Sequence, residues 1–105
     1  MNTITLFGKI EDEPKLMGMP GRDVCEFWLC VPTQQKRHAL HVKVVTFQGL
    51  AERCSERLAK GDQVGVSGHL RSDELPQGSR RKQFVHTVIG RQIDFVDPPV
   101  REESG

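Results

Sequence analysis

Residues 40–71, LHVKVVTFQGLAERCSERLAKGDQVGVSGHLR, decide the fold, because the spacing of their apolar residues changes twice. Residues 40–47 alternate with a period of two, which predicts a strand. The inward face of this strand carries Val42 and Val44, and its outward face carries His41, Lys43, Val45 and Phe47. The period then becomes helical and afterwards returns to two, so the stretch predicts the order strand, helix, strand.

The helical part of this stretch has one apolar stripe. Its members fall at spacings of one, three and four: Leu50, Ala51, Cys54 and Leu58. Gly61 follows Lys60 and favours a helix end there, so we expect about three turns. The strand over 63–71 then turns four residues inward: Val64, Val66, Gly68 and Leu70.

Strand patterns also flank this central stretch. Residues 3–10 alternate, and residues 24–31 do so with Trp28 on the outward face. Between these strands, Glu13-Pro14 and Met19-Pro20-Gly21 indicate turns. After residue 71, residues 72–82 are typical of a long hairpin tip, and 84–96 form a last strand interrupted at Gly90.

Three strands, a helix and two more strands match the order of an OB-fold barrel, a five-stranded, partly open Greek key. We therefore predict an all-β protein with one short helix between strands three and four. A β-sandwich would need more strands, and a parallel sheet would need a helix after nearly every strand. We expect residues 1–99 to form this domain and residues 100–105 to form a short flexible tail.

The composition fits one soluble domain of 105 residues, with 36% hydrophobic and 28% charged residues. No apolar run approaches the roughly 20 residues of a spanning helix, and the N-terminal residues lack a signal pattern. Three cysteines are a sparse, odd set, unlike the dense even sets of small secreted domains. We expect a cytoplasmic protein with reduced thiols and no membrane contact.

The distribution of charge is more informative than its total. Fifteen Lys and Arg against 14 Asp and Glu give a net charge of +1. The bases are concentrated in two acid-free clusters, Lys36-Arg37-His38 and Arg80-Arg81-Lys82. A surface facing a polyanion would be built from these two places.

Several segments together resemble bacterial single-stranded DNA-binding proteins. They are residues 2–10, Asp12-Glu13-Pro14, Val44-Val45-Thr46-Phe47 leading into Leu50-Ala51-Glu52, residues 60–64, and Gly68-His69-Leu70-Arg71. The resemblance covers roughly residues 2–96 and rests on the order and spacing of these pieces. It implies an OB-fold barrel that associates into dimers or tetramers, wraps single strands by base stacking, and serves replication, recombination or repair.

The chain departs from the family pattern in three ways. The family usually carries tryptophan at the position of His41 and another near Leu75, whereas Phe47 keeps its aromatic character. The connection over 32–39 is short and has no aromatic residue, and the sequence ends without the family's acidic, aromatic-ended tail. These features are also similar to primosomal replication protein N, so an adaptor in replication restart, with protein contacts as important as DNA contacts, is the alternative function.

Single-strand binding needs positive charge for phosphates and flat exposed side chains for bases. Ten residues supply them, and we predict that they contact DNA: Trp28, Lys36, Arg37, His41, Lys43, Phe47, Arg71, Arg80, Arg81 and Lys82. Other interpretations stay open for some of them. Trp28 is about as compatible with a subunit interface, Phe47 with a lid over the core, and the basic clusters with solvated hairpin tips.

Metal binding and catalysis are disfavoured by spacing. Cys25, Cys30, His38 and His41 are ligand types, but Cys25 and Cys30 differ by an odd number on one strand and leave opposite faces. Ser67, His69 and Asp73 are not framed by a nucleophile elbow or a phosphate loop. We expect no metal, no cofactor and no enzymatic activity.

Self-association is a further expectation. Open barrels leave sheet edges that favour pairing, and the strand over residues 3–10 has an unbroken pattern along which it can pair with its own copy. We expect a homodimer at least. Single-stranded DNA, a second copy of the chain and replication or restart proteins are the partners that the sequence indicates.

Overall fold

The computed structural model describes residues 1–19, 22–35, 38–75 and 83–96. Within them lie six strands and one helix. These are β1 (Ile4–Ile10), β2 (Lys15–Met19), β3 (Arg22–Pro32), β4 (Ala39–Phe47), α1 (Gln48–Arg57), β5 (Gln63–Glu74) and β6 (Phe84–Phe95).

Five of the strands close a ring. β1 pairs with β5, β5 with β6, β6 with β4, β4 with β3, and β3 returns to β1 at Lys9 and Ile10. Only the β4–β6 pairing among them is parallel, at Val44 with Val88 and Val45 with Ile89. The predicted OB-fold barrel with one short helix is therefore confirmed.

The remaining strand, β2, corrects the prediction of turns between residues 11 and 22. β2 pairs only with β3, from Lys15 opposite Glu26 to Met19 opposite Arg22, and so extends the sheet outside the ring. Its apolar residues Leu16 and Met17 are both exposed. A strand with neither face covered lacks the apolar and polar alternation by which the sequence reveals a strand.

The core lies inside the ring. It is formed by alternate residues of the barrel strands, among them Ile10, Cys25, Phe27, Leu29, Val44, Val64, Val66 and Val88. The predicted stripe of α1 packs on them, with Ala51 and Cys54 fully buried and Leu58 6% exposed. Burying such apolar surface stabilises the barrel by roughly 25 cal/mol per Å².

The helix ends earlier than predicted. α1 stops at Arg57, and Leu58 already has an extended backbone. Gly61 does adopt a positive φ of 92°, but it does so in the turn after the helix. That turn is held by the backbone N–H of Asp62, which donates to the Ala59 carbonyl at 3.0 Å, and by the Asp62 carboxylate, which accepts from the Ala59 N–H at 2.9 Å.

The β5–β6 hairpin differs from the prediction in three respects. Residues 72–74 continue β5 instead of belonging to the hairpin tip. β6 runs through Gly90 without interruption, but the register shifts there, because Gly90 lies opposite Gly68 while Gln92 lies opposite Ser67. Leu70 is 40% exposed instead of inward, since the pairing of β5 with β1 ends at Gly68 and the hairpin continues without a third strand.

Among the described residues, the structure contains no helix that is long and apolar enough to cross a bilayer.

Candidate nucleic-acid interface

The outer face of β3 and β4 brings together most of the predicted DNA contacts that the structure describes. Trp28 of β3 lies opposite Lys43 of β4, and Cys30 lies opposite His41. Trp28 and Phe47 each keep 43% of their surface exposed, although both belong to well-paired strands. Exposed aromatic rings beside a basic side chain can stack bases and hold a phosphate at the same time.

Val45 does not belong to this exposed surface, although the alternation places it on the outward face. It is only 4% exposed, and its partner Ile89 is 7% exposed. β4 is flanked at this point by β3 on one side and β6 on the other, so neighbouring side chains cover Val45. The prediction of an outward, accessible Val45 is wrong.

Trp28 and Phe47 lie far enough apart to contact different bases. Phe47 pairs with Val24, four residues along β3 from Trp28. At about 3.3 Å per residue this corresponds to about 13 Å. Because stacked bases follow one another at about 3.4 Å, one strand would need several nucleotides to reach both rings.

Sequence reasoning missed the carboxylates that contact three predicted DNA-binding residues, namely His41 and Lys43 of this face and Arg71 of β5. His41 Nδ1 contacts Glu11 Oε1, Lys43 Nζ lies 3.4 Å from Glu26 Oε2, and Arg71 Nε donates to Asp73 Oδ2 at 3.1 Å. Ion pairs with this exposure contribute about 0–1 kcal/mol. A phosphate can therefore displace the carboxylates at low cost.

Three surface depressions adjoin the aromatic rings. Trp28 lines one of about 550 Å³ whose cations are Lys15, Lys43 and Lys60. Phe47 separates two others, of about 510 Å³ and about 320 Å³. The larger of these two is mainly apolar, with Met17 and Val24 in its wall, and the smaller contains His69 and Arg91. Phe47 is therefore a partly exposed ring between two hollows.

A second acidic feature borders the apolar hollow. Asp23, which lines it, shares a hydrogen bond with the Glu52 carboxyl of α1, and this contact is the main cause that raises the pKa of Glu52. Arg22 lines the same hollow, so these two carboxyl groups stand near one basic residue. The apolar wall formed by Met17 and Val24 can accommodate the flat face of a base.

Five predicted contacts lie outside the described residues: Lys36, Arg37, Arg80, Arg81 and Lys82. Arg71 lies on the β5 arm of the hairpin that leads toward the second cluster. The opposite arm begins with Phe84, which is 53% exposed and was not predicted as a contact. Phe84 lies two residues after Lys82, the last residue of the basic cluster, and this position makes it a further candidate contact.

The cysteines follow the predicted parity. Cys25 is fully buried in the core, whereas Cys30 is half-buried on the outer face. Burial raises the pKa of the Cys25 thiol to about 11 and also raises the pKa of Cys54. Both core thiols are therefore neutral and unreactive near pH 7.

The residues considered for catalysis contact other partners. The Ser67 hydroxyl lies 3.4 Å from the Thr5 hydroxyl, and Asp73 faces Arg71. His38, which was considered as a metal ligand, donates its backbone N–H to the Gln35 carbonyl in the connection before β4. The contact between Ser67 and Thr5 joins β5 to β1, whereas the ion pair between Arg71 and Asp73 lies within β5.

A comparison with protein families identifies the chain. The model of the single-strand binding protein family matches residues 1–96, which span the whole barrel. The chain belongs to the single-strand binding protein family. This membership agrees with the closed five-strand ring and with the exposed aromatic residues on its outer face.

Individual members of the single-strand binding protein family resemble the chain along most of its length. It is 31% identical over 104 residues to single-stranded DNA-binding protein 2 of Staphylococcus aureus strain COL, covering 93% of this chain and 75% of that protein. It is 30% identical over 113 residues to the single-stranded DNA-binding protein of Clostridium tetani, covering 100% of this chain and 77% of that protein. It is also 28% identical to single-stranded DNA-binding protein 1 of Staphylococcus aureus strain COL, covering 100% of this chain and 66% of that protein. The chain thus spans about two thirds to three quarters of the length of these relatives.

Proposed function

We propose that this member of the single-strand binding protein family binds single-stranded DNA on the outer face of β3 and β4, with little base preference. Trp28 and Phe47 stack bases, and Lys43, His41 and Arg71 contact phosphates. The observation that carries the proposal is the exposed Trp28 ring in register with Lys43 on a barrel of this family. Stacking is tolerant of sequence because every base has a flat face.

The two basic clusters extend the phosphate path beyond this face. Lys36 and Arg37 lie between the ends of β3 and β4, and Arg80, Arg81 and Lys82 lie between β5 and β6. The β5–β6 connection corresponds to one of the loops by which OB-fold barrels bind oligonucleotides, and the β3–β4 connection joins the two strands of the proposed binding face. We assign them to phosphate contacts, which supply most of the salt-dependent affinity.

Self-association supports the same function. One edge of β1 pairs with β5 from Ile4 to Lys9, whereas its other edge pairs with β3 only at Lys9 and Ile10. The edge over residues 4–8 is thus available to a second copy of the chain. A homodimer, or a tetramer built from two dimers, would place several outer faces along one strand.

Family membership supports the setting that we propose. In this proposal, the protein acts by binding and not by catalysis, in the cytoplasm, during DNA replication, recombination or repair. We also propose residues 1–99 as the binding domain. The predicted tail over residues 100–105 lies outside the described residues, as do residues 97–99. Family membership and the names of the relatives favour single-strand binding over the adaptor function of primosomal replication protein N.

Trp28 provides the direct test, because it is the single tryptophan of the chain. Stacking on a base should quench its fluorescence when an unstructured oligonucleotide is added. Trp28→Ala should weaken binding by about 1–3 kcal/mol and leave the salt dependence unchanged, since a stacking contact neutralises no phosphate.

Leu16→Ala is the matched control, because Leu16 is similarly exposed, at 45%, but lies on β2. It should bind oligonucleotide like the unmodified chain. If saturating oligonucleotide leaves Trp28 emission unchanged and Trp28→Ala dissociates the oligomer, Trp28 belongs to a subunit interface. The stacking role would then fall to Phe47 alone.

A further inference from the structure

Three side chains at one end of the outer face form a cluster of metal-ligating types. Glu11, Cys30 and His41 offer an oxygen, a sulfur and a nitrogen, and these atoms all lie within 4.8 Å of one another. Thiolate, imidazole and carboxylate are the three side-chain ligands of Zn²⁺ in proteins. Neither Glu11 nor Cys30 has a part in the proposed DNA contacts.

The backbone holds these three residues in place. Cys30 pairs with Lys9 of β1 on one side and with His41 of β4 on the other. The backbone N–H of Glu11, directly after β1, donates to the Trp28 carbonyl at 2.9 Å. The three side chains therefore come from three parts of the chain that the barrel fixes independently, and little further ordering is needed to bind an ion.

The exposure of the three residues suits an ion that enters from solvent. The His41 side chain is 61% exposed and the Glu11 side chain 27% exposed, while Cys30 is half-buried. By contrast, Cys25 and Cys54 are fully buried in the core and face away from this cluster. Three protein ligands at the surface leave the fourth tetrahedral position open to water.

We propose that Glu11, Cys30 and His41 bind one transition-metal ion, with Zn²⁺ as the preferred ion. The donor set excludes a preference for Mg²⁺ or Ca²⁺, which take oxygen ligands. With bond lengths of about 2.0–2.3 Å, the ligand atoms of a tetrahedral site lie about 3.5 Å apart. The three atoms here already lie within 4.8 Å of one another. On binding, the Cys30 thiol releases its proton to solvent, and the ion replaces the direct contact between His41 and Glu11.

The alternation of side chains along β3 correctly places Cys25 and Cys30 on opposite faces. It gives no information about residues on other strands. The ligand set forms across the barrel, because β1 and β4 both approach Cys30. The proposed site shares His41 with the proposed phosphate contacts, but its test uses no DNA.

Titration of the full chain with Co²⁺ alone tests the proposal. We expect one equivalent to produce the near-ultraviolet thiolate-to-cobalt charge-transfer band together with the visible bands of tetrahedral Co²⁺, and Zn²⁺ to displace it. Cys30→Ser should abolish the charge-transfer band although Cys25 and Cys54 remain. Glu11→Gln and His41→Gln should each weaken Co²⁺ binding at least about tenfold.

Matched controls are His86→Gln, which removes another exposed histidine, and Asp12→Asn, which removes the carboxylate next to Glu11. Both should bind Co²⁺ like the unmodified chain. A band that is missing from the unmodified chain, that survives Cys30→Ser, or that is weakened equally by the controls would overturn the proposal.

A second readout needs no variant. Zn²⁺ should protect Cys30 of the unmodified chain from alkylation by iodoacetamide, followed by peptide mass spectrometry. Cys25 and Cys54 serve as internal references because both are fully buried. Alkylation of Cys30 at the same rate with and without Zn²⁺ would contradict a site at Cys30.

Discussion

Lys43, a basic residue of the outer face, forms an ion pair with an acidic neighbour. Its ammonium lies 3.4 Å from the Glu26 carboxylate, with both side chains about one-third exposed. On the proposed function, a phosphate must compete with this carboxylate for Lys43. We therefore expect Glu26 to weaken DNA binding without contacting the DNA.

Two opposite charge changes test this competition. Glu26→Gln should strengthen binding to a single-stranded oligonucleotide by about two- to fivefold, because a pair of this exposure is worth up to about 1 kcal/mol. Lys43→Gln should weaken binding and lower the salt slope by about one phosphate contact. Binding isotherms at several salt concentrations measure both effects.

Asp94→Asn is the control for the change in net charge, because Asp94 lies on β6 and accepts from the Gln92 side chain at 3.2 Å. It should change affinity much less than Glu26→Gln does. Equal gains from the two variants would mean that only net charge matters and that the Lys43–Glu26 pair has no specific effect.

Side chains alternate between the two faces of a β-strand, and this alternation correctly places Trp28, His41 and Lys43 on the outer face. The carboxylates that oppose them are not predictable in this way. Glu11 contacts His41 across 30 residues of sequence, and that contact depends on how β1, β3 and β4 are brought together. The burial of Val45 is not predictable for the same reason, since it depends on the pairing of β4 with β6, which lies far away in the sequence.

At the scale of elements, the β5–β6 hairpin depends on a close approach at Gly68. A Cβ atom added there would overlap the Ile89 carbonyl oxygen and would lie 2.9 Å from its carbon. This crowding coincides with the register shift that leaves Arg91 without a partner in the ladder. Bulges of this kind bend a strand, so that here the hairpin can leave the ring.

Gly68→Ala should lower the free energy of unfolding by about 1–3 kcal/mol, the usual cost of forcing extra atoms into a packed site. Urea denaturation followed by circular dichroism measures it. Gly49→Ala is the control, because nothing lies within 4 Å of a Cβ added at that exposed helix position. It should leave stability unchanged or raise it by up to about 1 kcal/mol. Equal losses at both positions would refute the close approach.

The five barrel strands and the helix are predictable because each buries one face and so shows its period in the sequence. β2 is not, because Leu16 and Met17 are exposed and the segment is bounded by Pro14 and Pro20, which favour turns. Gly61 does have a positive φ, but it lies four residues beyond Arg57, the last residue of the helix, in the turn closed by Asp62. Gly61 thus predicts a positive φ at its own position correctly, but it does not predict where the helix ends.

For the whole molecule, the open edge of β1 predicts association. Light scattering at micromolar concentration should give at least twice the chain mass of 11.9 kDa. The physical reason is that unpaired N–H and C=O groups over residues 4–8 gain hydrogen bonds when two copies pair. A monomer mass under these conditions would remove this proposal and with it the wrapping of one strand around several barrels.

The central claim is that the barrel binds single strands by stacking and by charge. The most direct measurement is the affinity for a polypyrimidine single strand and for a duplex of the same length, each over a series of salt concentrations. We expect the single strand to bind much more tightly than the duplex, with an affinity that falls steeply as salt rises. Changing Arg80, Arg81 and Lys82 together to glutamine should lower the magnitude of the logarithmic salt slope by about 2, since each phosphate contact on a single strand contributes about 0.7. Equal affinity for duplex and single strand at the same salt would contradict the account.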